Sequence, residues 1–192
     1  MQPLIDHARR FGRRPEEFAR LAAGQSPQAL FITCSDSRVV PALITGARPG
    51  ELFELRTAGN IVPPYAGAHP TAEAATVEYA VDVLGVRDVV VCGHSHCGAV
   101  GALVRGDDLD AVPAVRDWLT GATPRPAGCA EDPSVAEGVQ SHVLAQVLRL
   151  RSYPCVERRL AEGRLTLHAW YYEVHTGTVL AHRPQSDTFT AL

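Results

Sequence analysis

The chain has 192 residues, 46% hydrophobic and 20% charged, a composition that folds as one globular unit and excludes extensive disorder. A net charge of −3 argues against nucleic acid or an anionic membrane as the main partner. All 18 basic residues are arginine, which removes lysine Schiff-base chemistry and the lysine of a phosphate-binding loop. No apolar run nears the roughly 18–20 residues of a membrane span, and the start lacks the apolar stretch of a signal peptide. The 5 cysteines are widely spread, which suggests reduced thiols and metal ligands rather than a disulfide framework. A cytoplasmic protein is the plain expectation. With no internal repeat, low-complexity tract or linker, a single domain over residues 1–192 is expected.

Leu4, Ile5, Ala8 and Phe11 are spaced for one face of an N-terminal helix, and Pro15-Glu16-Glu17 can open another. The apolar run Ala29-Leu30-Phe31-Ile32-Thr33-Cys34 has the pattern of a strand buried on both faces. Residues 51–56 read as a second strand. Thr71, Ala72, Thr76, Tyr79, Ala80, Val83 and Leu84 make a helical stripe that stops at Gly85. Val89-Val90-Val91-Cys92 is a third buried strand. Residues 121–133 are a loop rich in Pro and Gly. Asp132-Pro133 then opens a helix that carries Val135, Val139, Val143, Val147 and Leu150 at helical spacing. Residues 164–174 are rich in β-formers, and Thr176-Gly177 offers a hairpin turn. Strands alternating with helices predict an α/β fold: a mostly parallel central sheet flanked by helices, with a C-terminal strand pair.

In open sheets of this kind, sites gather beyond the carboxyl ends of strands, where Cys34 and His94 stand. Two segments carry the chemistry there: Cys34-Ser35-Asp36-Ser37-Arg38 and Gly93-His94-Ser95-His96-Cys97-Gly98. Cys34, His94 and Cys97 offer two thiolates and an imidazole, a donor set suited to zinc, and three protein ligands leave a fourth tetrahedral position for water. Each residue alone also reads as ordinary structure. Cys34 and Cys92 fit as small core hydrophobes, His94 as a hydrogen-bonded loop residue, and Asp36 with Arg38 as a solvated ion pair. Their joint occurrence at two adjacent strand ends favours the metal. His96 reads as a loop residue facing solvent.

Together the two segments resemble the paired motifs of the β-class carbonic anhydrases. Gly24-Gln25-Ser26-Pro27, Pro49-Gly50-Glu51, Glu78-Tyr79-Ala80-Val81 and Leu167-His168-Ala169-Trp170 resemble family segments in the same order. The resemblance implies zinc on Cys34, His94 and Cys97, and a catalytic dyad of Asp36 and Arg38. The implied reaction is reversible hydration of CO2 to bicarbonate and a proton, with zinc-bound hydroxide as nucleophile. Gln25, Phe53 and Tyr79 match the substrate-cleft residues of the plant-type subgroup, which come largely from the partner subunit; Ala58 would add to the apolar wall. A homodimer or a multiple of dimers is therefore implied.

The closed, bicarbonate-regulated subgroup typically has Trp and an apolar residue where this chain has Phe31 and Gln25, which implies the open-site, plant-type subgroup. Two positions depart from the family pattern. Thr57 stands where an asparagine is usual, and Val83 where plant members carry a histidine proposed as proton shuttle. Hydrolysis of CS2 or COS at the same zinc is one alternative, and a non-catalytic zinc-binding regulatory module another. The presence of all three ligands and both dyad residues weighs against the second.

Overall fold

The computed structural model describes residues 1–11, 18–122, 126 and 128–192. Strands β1 (Ala29–Cys34), β2 (Leu52–Thr57), β3 (Asp88–His94), β4 (Thr166–Tyr172), β5 (Val179–Arg183) and β6 (Thr188–Ala191) form one sheet in the order β2-β1-β3-β4-β5-β6. The pairs β1–β2, β1–β3 and β3–β4 are parallel, whereas β5 and β6 join antiparallel. The helices are α1 (Gln2–Phe11), α2 (Pro41–Thr45), α3 (Ala72–Glu78), α4 (Gly98–Arg105), α5 (Pro113–Ala122), α6 (Ala136–Leu150) and α7 (Pro154–Ala161).

The continuous apolar runs of β1 and β3 lie at the centre because both faces of these strands are covered. Leu30, Ile32, Val89 and Val91 face the main core with Val139 and Val143 of α6, while Phe31, Val90 and Cys92 pack on the other side. There the Phe31 ring meets Trp170 edge-on at 5.9 Å between centroids. Gly93 sets the separation of α6 from β3, since any Cβ there would lie 2.5 Å from Val139 Cγ1 and 2.6 Å from Val143 Cγ2.

Two expectations are corrected. Of the stripe expected from Thr71 to Leu84 only Ala80 is fully buried: the chain buries Ala74, Val77 and Val81 with it, and leaves Val83 65% exposed. Thr71 is instead the N-cap of α3, its side chain accepting from Ala74 N at 3.2 Å. Beyond α3 the backbone widens into a π turn over Tyr79–Val83, in which Ala80 and Val81 are buried. The helix expected at Asp132-Pro133 begins at Ala136, after Val135 adopts a left-handed φ of 48°. Asp132 still serves as its cap from further off, accepting from Ser134 N at 2.9 Å and Ala136 N at 3.0 Å. The hairpin at Thr176-Gly177 does join β4 to β5, but β6, which no alternation announces, adds a further strand. The N-terminal helix forms as α1 and buries none of its residues in this chain. Pro15-Glu16-Glu17 lies outside the described residues, as does part of the predicted 121–133 loop.

Candidate metal centre

The parallel register delivers the site. β1 and β3 run side by side, so Cys34 at the end of one and His94 at the end of the other emerge together. A tight turn then returns Cys97 as the N-cap of α4. The three ligand atoms lie within 4.8 Å of one another, and all three residues are buried. His94 Nδ1 donates to the carbonyl of Ser95 at 2.9 Å, which fixes the tautomer and leaves the Nε2 lone pair free. That Nε2 is fully buried and has no hydrogen-bond partner. A buried acceptor without a donor is costly unless something else occupies its lone pair. With two sulfurs beside it, zinc fits these donors.

The thiols are prepared for a cation. Cys34 is pulled down to about 4, chiefly by the hydrogen bond from the Cys97 thiol, with the Gly59 N–H adding to it. Cys97 moves upward because its neighbour already carries the charge. A bound cation deprotonates both.

Asp36 and Arg38 stand at the rim. Arg38 Nε donates to Asp36 Oδ1 at 2.9 Å and Nη2 to Oδ2 at 2.7 Å, a bidentate pair, while the Arg38 backbone N–H adds a third bond at 2.9 Å. The arginine holds the carboxyl well below the usual carboxylate range. Arg38 Nη2 also donates to the His96 carbonyl at 3.0 Å, which ties the two motif loops together. Asp36 Oδ2 is 3.8 Å from His94 Nε2, beside the position a metal would take.

Several further residues hold this geometry, of which Trp118 and His142 carried no sequence signal. Arg56 Nη2 donates to the carbonyls of Cys34 at 3.0 Å, Asp36 at 2.9 Å and Val39 at 2.8 Å, pinning the whole first motif. The turn Ala58–Asn60 presents the Gly59 N–H to Cys34 Sγ at 3.3 Å. Its carbonyls are gripped in turn: Trp118 Nε1 donates to Ala58 O at 3.0 Å and His142 Nε2 to Gly59 O at 2.8 Å. Burial holds His142 down to about 4, so it is neutral at physiological pH. Thr57, the departure from the family pattern, closes the same turn through Oγ1 to Ile61 O at 3.0 Å. Its hydroxyl thus braces the turn that touches Cys34.

Gln25, Phe53 and Tyr79 are not brought to this site within one chain. Phe53 pairs with Leu30, four residues before Cys34 along β1, which is about 13 Å at strand rise. Tyr79 stays with Phe53, the rings 5.8 Å apart, and Gln25 precedes β1 at its far end. Ala58 does lie beside the site, its neighbour Gly59 touching Cys34.

The sheet, the two strand-end motifs and the buried Cys-His-Cys cluster together define an α/β protein with a three-donor metal site at the carboxyl ends of its strands. The family model for carbonic anhydrase matches residues 29–179. A carbonic anhydrase of Pseudomonas aeruginosa is 47% identical over 203 residues, covering 100% of this chain and 92% of that protein. Among solved structures, the β-carbonic anhydrase CcaA superposes with a TM-score of 0.88 at 37% identity over 100% of this chain and 99% of that one. One of two tetrameric β-carbonic anhydrases from Sordaria macrospora gives a TM-score of 0.77 at 28% identity over 94% of each chain. The chain belongs to the β-class carbonic anhydrase family, and the cluster Cys34, His94 and Cys97 is its zinc-type site.

Proposed function

We propose that the chain hydrates CO2 at an open zinc site in which Asp36 and Arg38 are the catalytic dyad, and that a second copy completes the substrate cleft. The observation that carries this reading is the bidentate Asp36–Arg38 pair poised 3.8 Å from the unpartnered His94 Nε2. When held by Cys34, His94 and Cys97, zinc supplies a water-derived nucleophile near neutral pH and withdraws charge from an oxygen of the product. Two thiolates donate more charge than imidazoles would, so this zinc is a weaker acid than an all-histidine one. Asp36 stays ionised, so Oδ2 accepts a hydrogen bond from the nucleophile and turns its lone pair toward CO2. Arg38 fixes the direction of that carboxylate through both of its oxygens. Gln25 would donate an amide hydrogen to an oxygen that gains charge. Phe53, Tyr79 and Ala58 would supply the apolar wall that an uncharged, linear substrate prefers. All five cysteines are free thiols, which supports a reducing, cytoplasmic setting. Among the described residues no helix is long and apolar enough to cross a membrane.

A stopped-flow CO2 hydration assay tests the reaction. Activity should vanish on zinc chelation and return with added zinc; a fully zinc-loaded protein without activity would overturn it.

The open-site reading has its own expected result. A carboxylate pulled down by its arginine stays charged until the pH falls through that lowered value, so the Asp36–Arg38 pair persists across the mildly acidic range. Activity should therefore decline smoothly below pH 8, following the nucleophile, with no steep bicarbonate-sensitive collapse. Crystals grown near pH 7.5 that showed Asp36 coordinating zinc would contradict it.

Assembly follows from where the cleft residues stand. The far placement of Gln25, Phe53 and Tyr79 supports a cleft shared between copies, as do the exposures of Leu43 (81%), Val83 (65%) and Tyr79 (45%) in the single chain. The tetrameric Sordaria relatives support it as well. Light scattering at assay concentration should give a dimer or a multiple of it. A fully active monomer would refute the shared cleft.

A further inference from the structure

The metal centre lies at the carboxyl ends of the strands, and a different kind of chemistry gathers at their amino ends. There the turn leading into β3 and the turn between α7 and β4 enclose a polar cavity of about 440 Å³ lined by Arg87, Asp88, Arg159, Gly163 and Arg164. We propose that this cavity binds a small phosphate-type oxyanion through Arg87, Arg159 and Arg164.

The argument is one of unmatched donors. Arg159 Nε is buried and makes no hydrogen bond. Asp82 Oδ1 lies 3.5 Å from it and is already engaged by Arg158 Nη2. Arg159 Nη1 and Arg164 Nη1 share a single oxygen, Glu162 Oε2, at 3.6 and 3.4 Å, both long for a charged pair. Arg87 has no ion pair among the described residues. Its backbone carbonyl accepts from Thr166 N at 2.9 Å, which anchors its Cα at the cavity wall. The one carboxylate lining the cavity, Asp88, is held by His168 Nε2 at 2.8 Å and is not free to neutralise the arginines.

Three arginines thus line a concave polar space in which the carboxylates within reach are shared or already engaged, in a chain whose overall charge is −3. Guanidinium forks match the oxygen spacing of phosphate, and a dianion satisfies several of them at once. A monovalent halide would engage fewer. The shared chemistry is the phosphoryl group, which either free phosphate or a phosphate monoester can present.

The test is calorimetric titration of the zinc-loaded protein with inorganic phosphate and, separately, glycerol 3-phosphate, at low and constant ionic strength against sodium chloride. One phosphoryl group per chain should bind, with chloride ineffective. Arg87→Ser and Arg164→Ser remove exposed side chains and leave the fold intact; each should weaken binding roughly tenfold. CO2 hydration by both variants without phosphate should match that of the parent. Cys34→Ser, which disables the metal centre, should bind phosphate as the parent does, which separates this site from an anion sitting on zinc. Tighter binding of the monoester would assign it as the ligand, and tighter binding of inorganic phosphate would assign the free ion; either result supports the site. The proposal falls if neither ligand binds, if both arginine variants bind as the parent does, or if Cys34→Ser alone abolishes binding.

Discussion

Cys34→Ser should give a folded protein that retains almost no zinc and hydrates CO2 at the background rate. The substitution exchanges a thiol pulled down to about 4 for a hydroxyl that does not ionise in this pH range. It thereby removes one of the two anionic donors, and His94 with Cys97 alone makes a poor site for a dication. The fold should survive because the change is nearly isosteric. The Gly59 N–H keeps an oxygen to point at, so the loss from a misfitted hydrogen bond should stay within about 1–3 kcal/mol. The Arg56 clamp acts on the backbone carbonyl of Cys34 and is untouched. Metal analysis, thermal melting and stopped-flow hydration on the same sample decide it. Full zinc occupancy in the variant would remove Cys34 from the ligand set, while loss of the melting transition would show that the sulfur matters to the fold rather than the metal.

The parts of this molecule that were legible in its sequence are those governed by local pattern. β1 was readable because its apolar run is continuous, and α6 because Val139, Val143, Val147 and Leu150 recur at helical spacing, all but the half-buried Val147 fully buried. The ligands were readable because the chemistry needs particular residue types, and strand ends bring those types together. The short helices α2, α4 and α7 carry too few turns for periodicity to stand out. The error over residues 71–84 arises in the first turns: Ala72, Ala74, Ala75 and Thr76 are all small, so apolarity alone does not say which face is buried, and the chain buries Ala74 and Val77.

The residues that hold the site were invisible for another reason. Trp118 and His142 act on backbone carbonyls, and a carbonyl has no identity in a sequence. Trp118 reaches Ala58 across 60 positions and His142 reaches Gly59 across 83, so no local spacing links them. A buried histidine with one satisfied nitrogen also looks the same in sequence whether it binds a metal, as His94 is placed to do, or a carbonyl, as His142 does. Only the partners distinguish them.

Gly93→Ala should damage both stability and metal retention, although it adds a single methyl group away from the ligand atoms. The new Cβ would fall 2.5 Å from Val139 Cγ1 and 2.6 Å from Val143 Cγ2, closer than carbon atoms in proteins approach. Neither valine can swing aside, because a β-branched side chain in a helix has essentially one rotamer and both are fully buried. Relief must come from moving α6 away from β3, an overpacking cost of roughly 1–3 kcal/mol. In a chain of this size that should lower the melting temperature by about 2–12 °C. The displacement would not stay local. β3 places His94 immediately after Gly93, and α6 carries His142, whose grip on Gly59 O aims the N–H at Cys34. Zinc should therefore leave the variant faster in the presence of a chelator than it leaves the parent. Val139→Ala, added to Gly93→Ala, removes one of the two clashing methyls and should recover part of both losses. If Gly93→Ala melts and holds zinc like the parent, the close approach of α6 to β3 does not set the position of His94, and the rigidity of the metal centre must come from the Arg56 and Arg38 contacts alone.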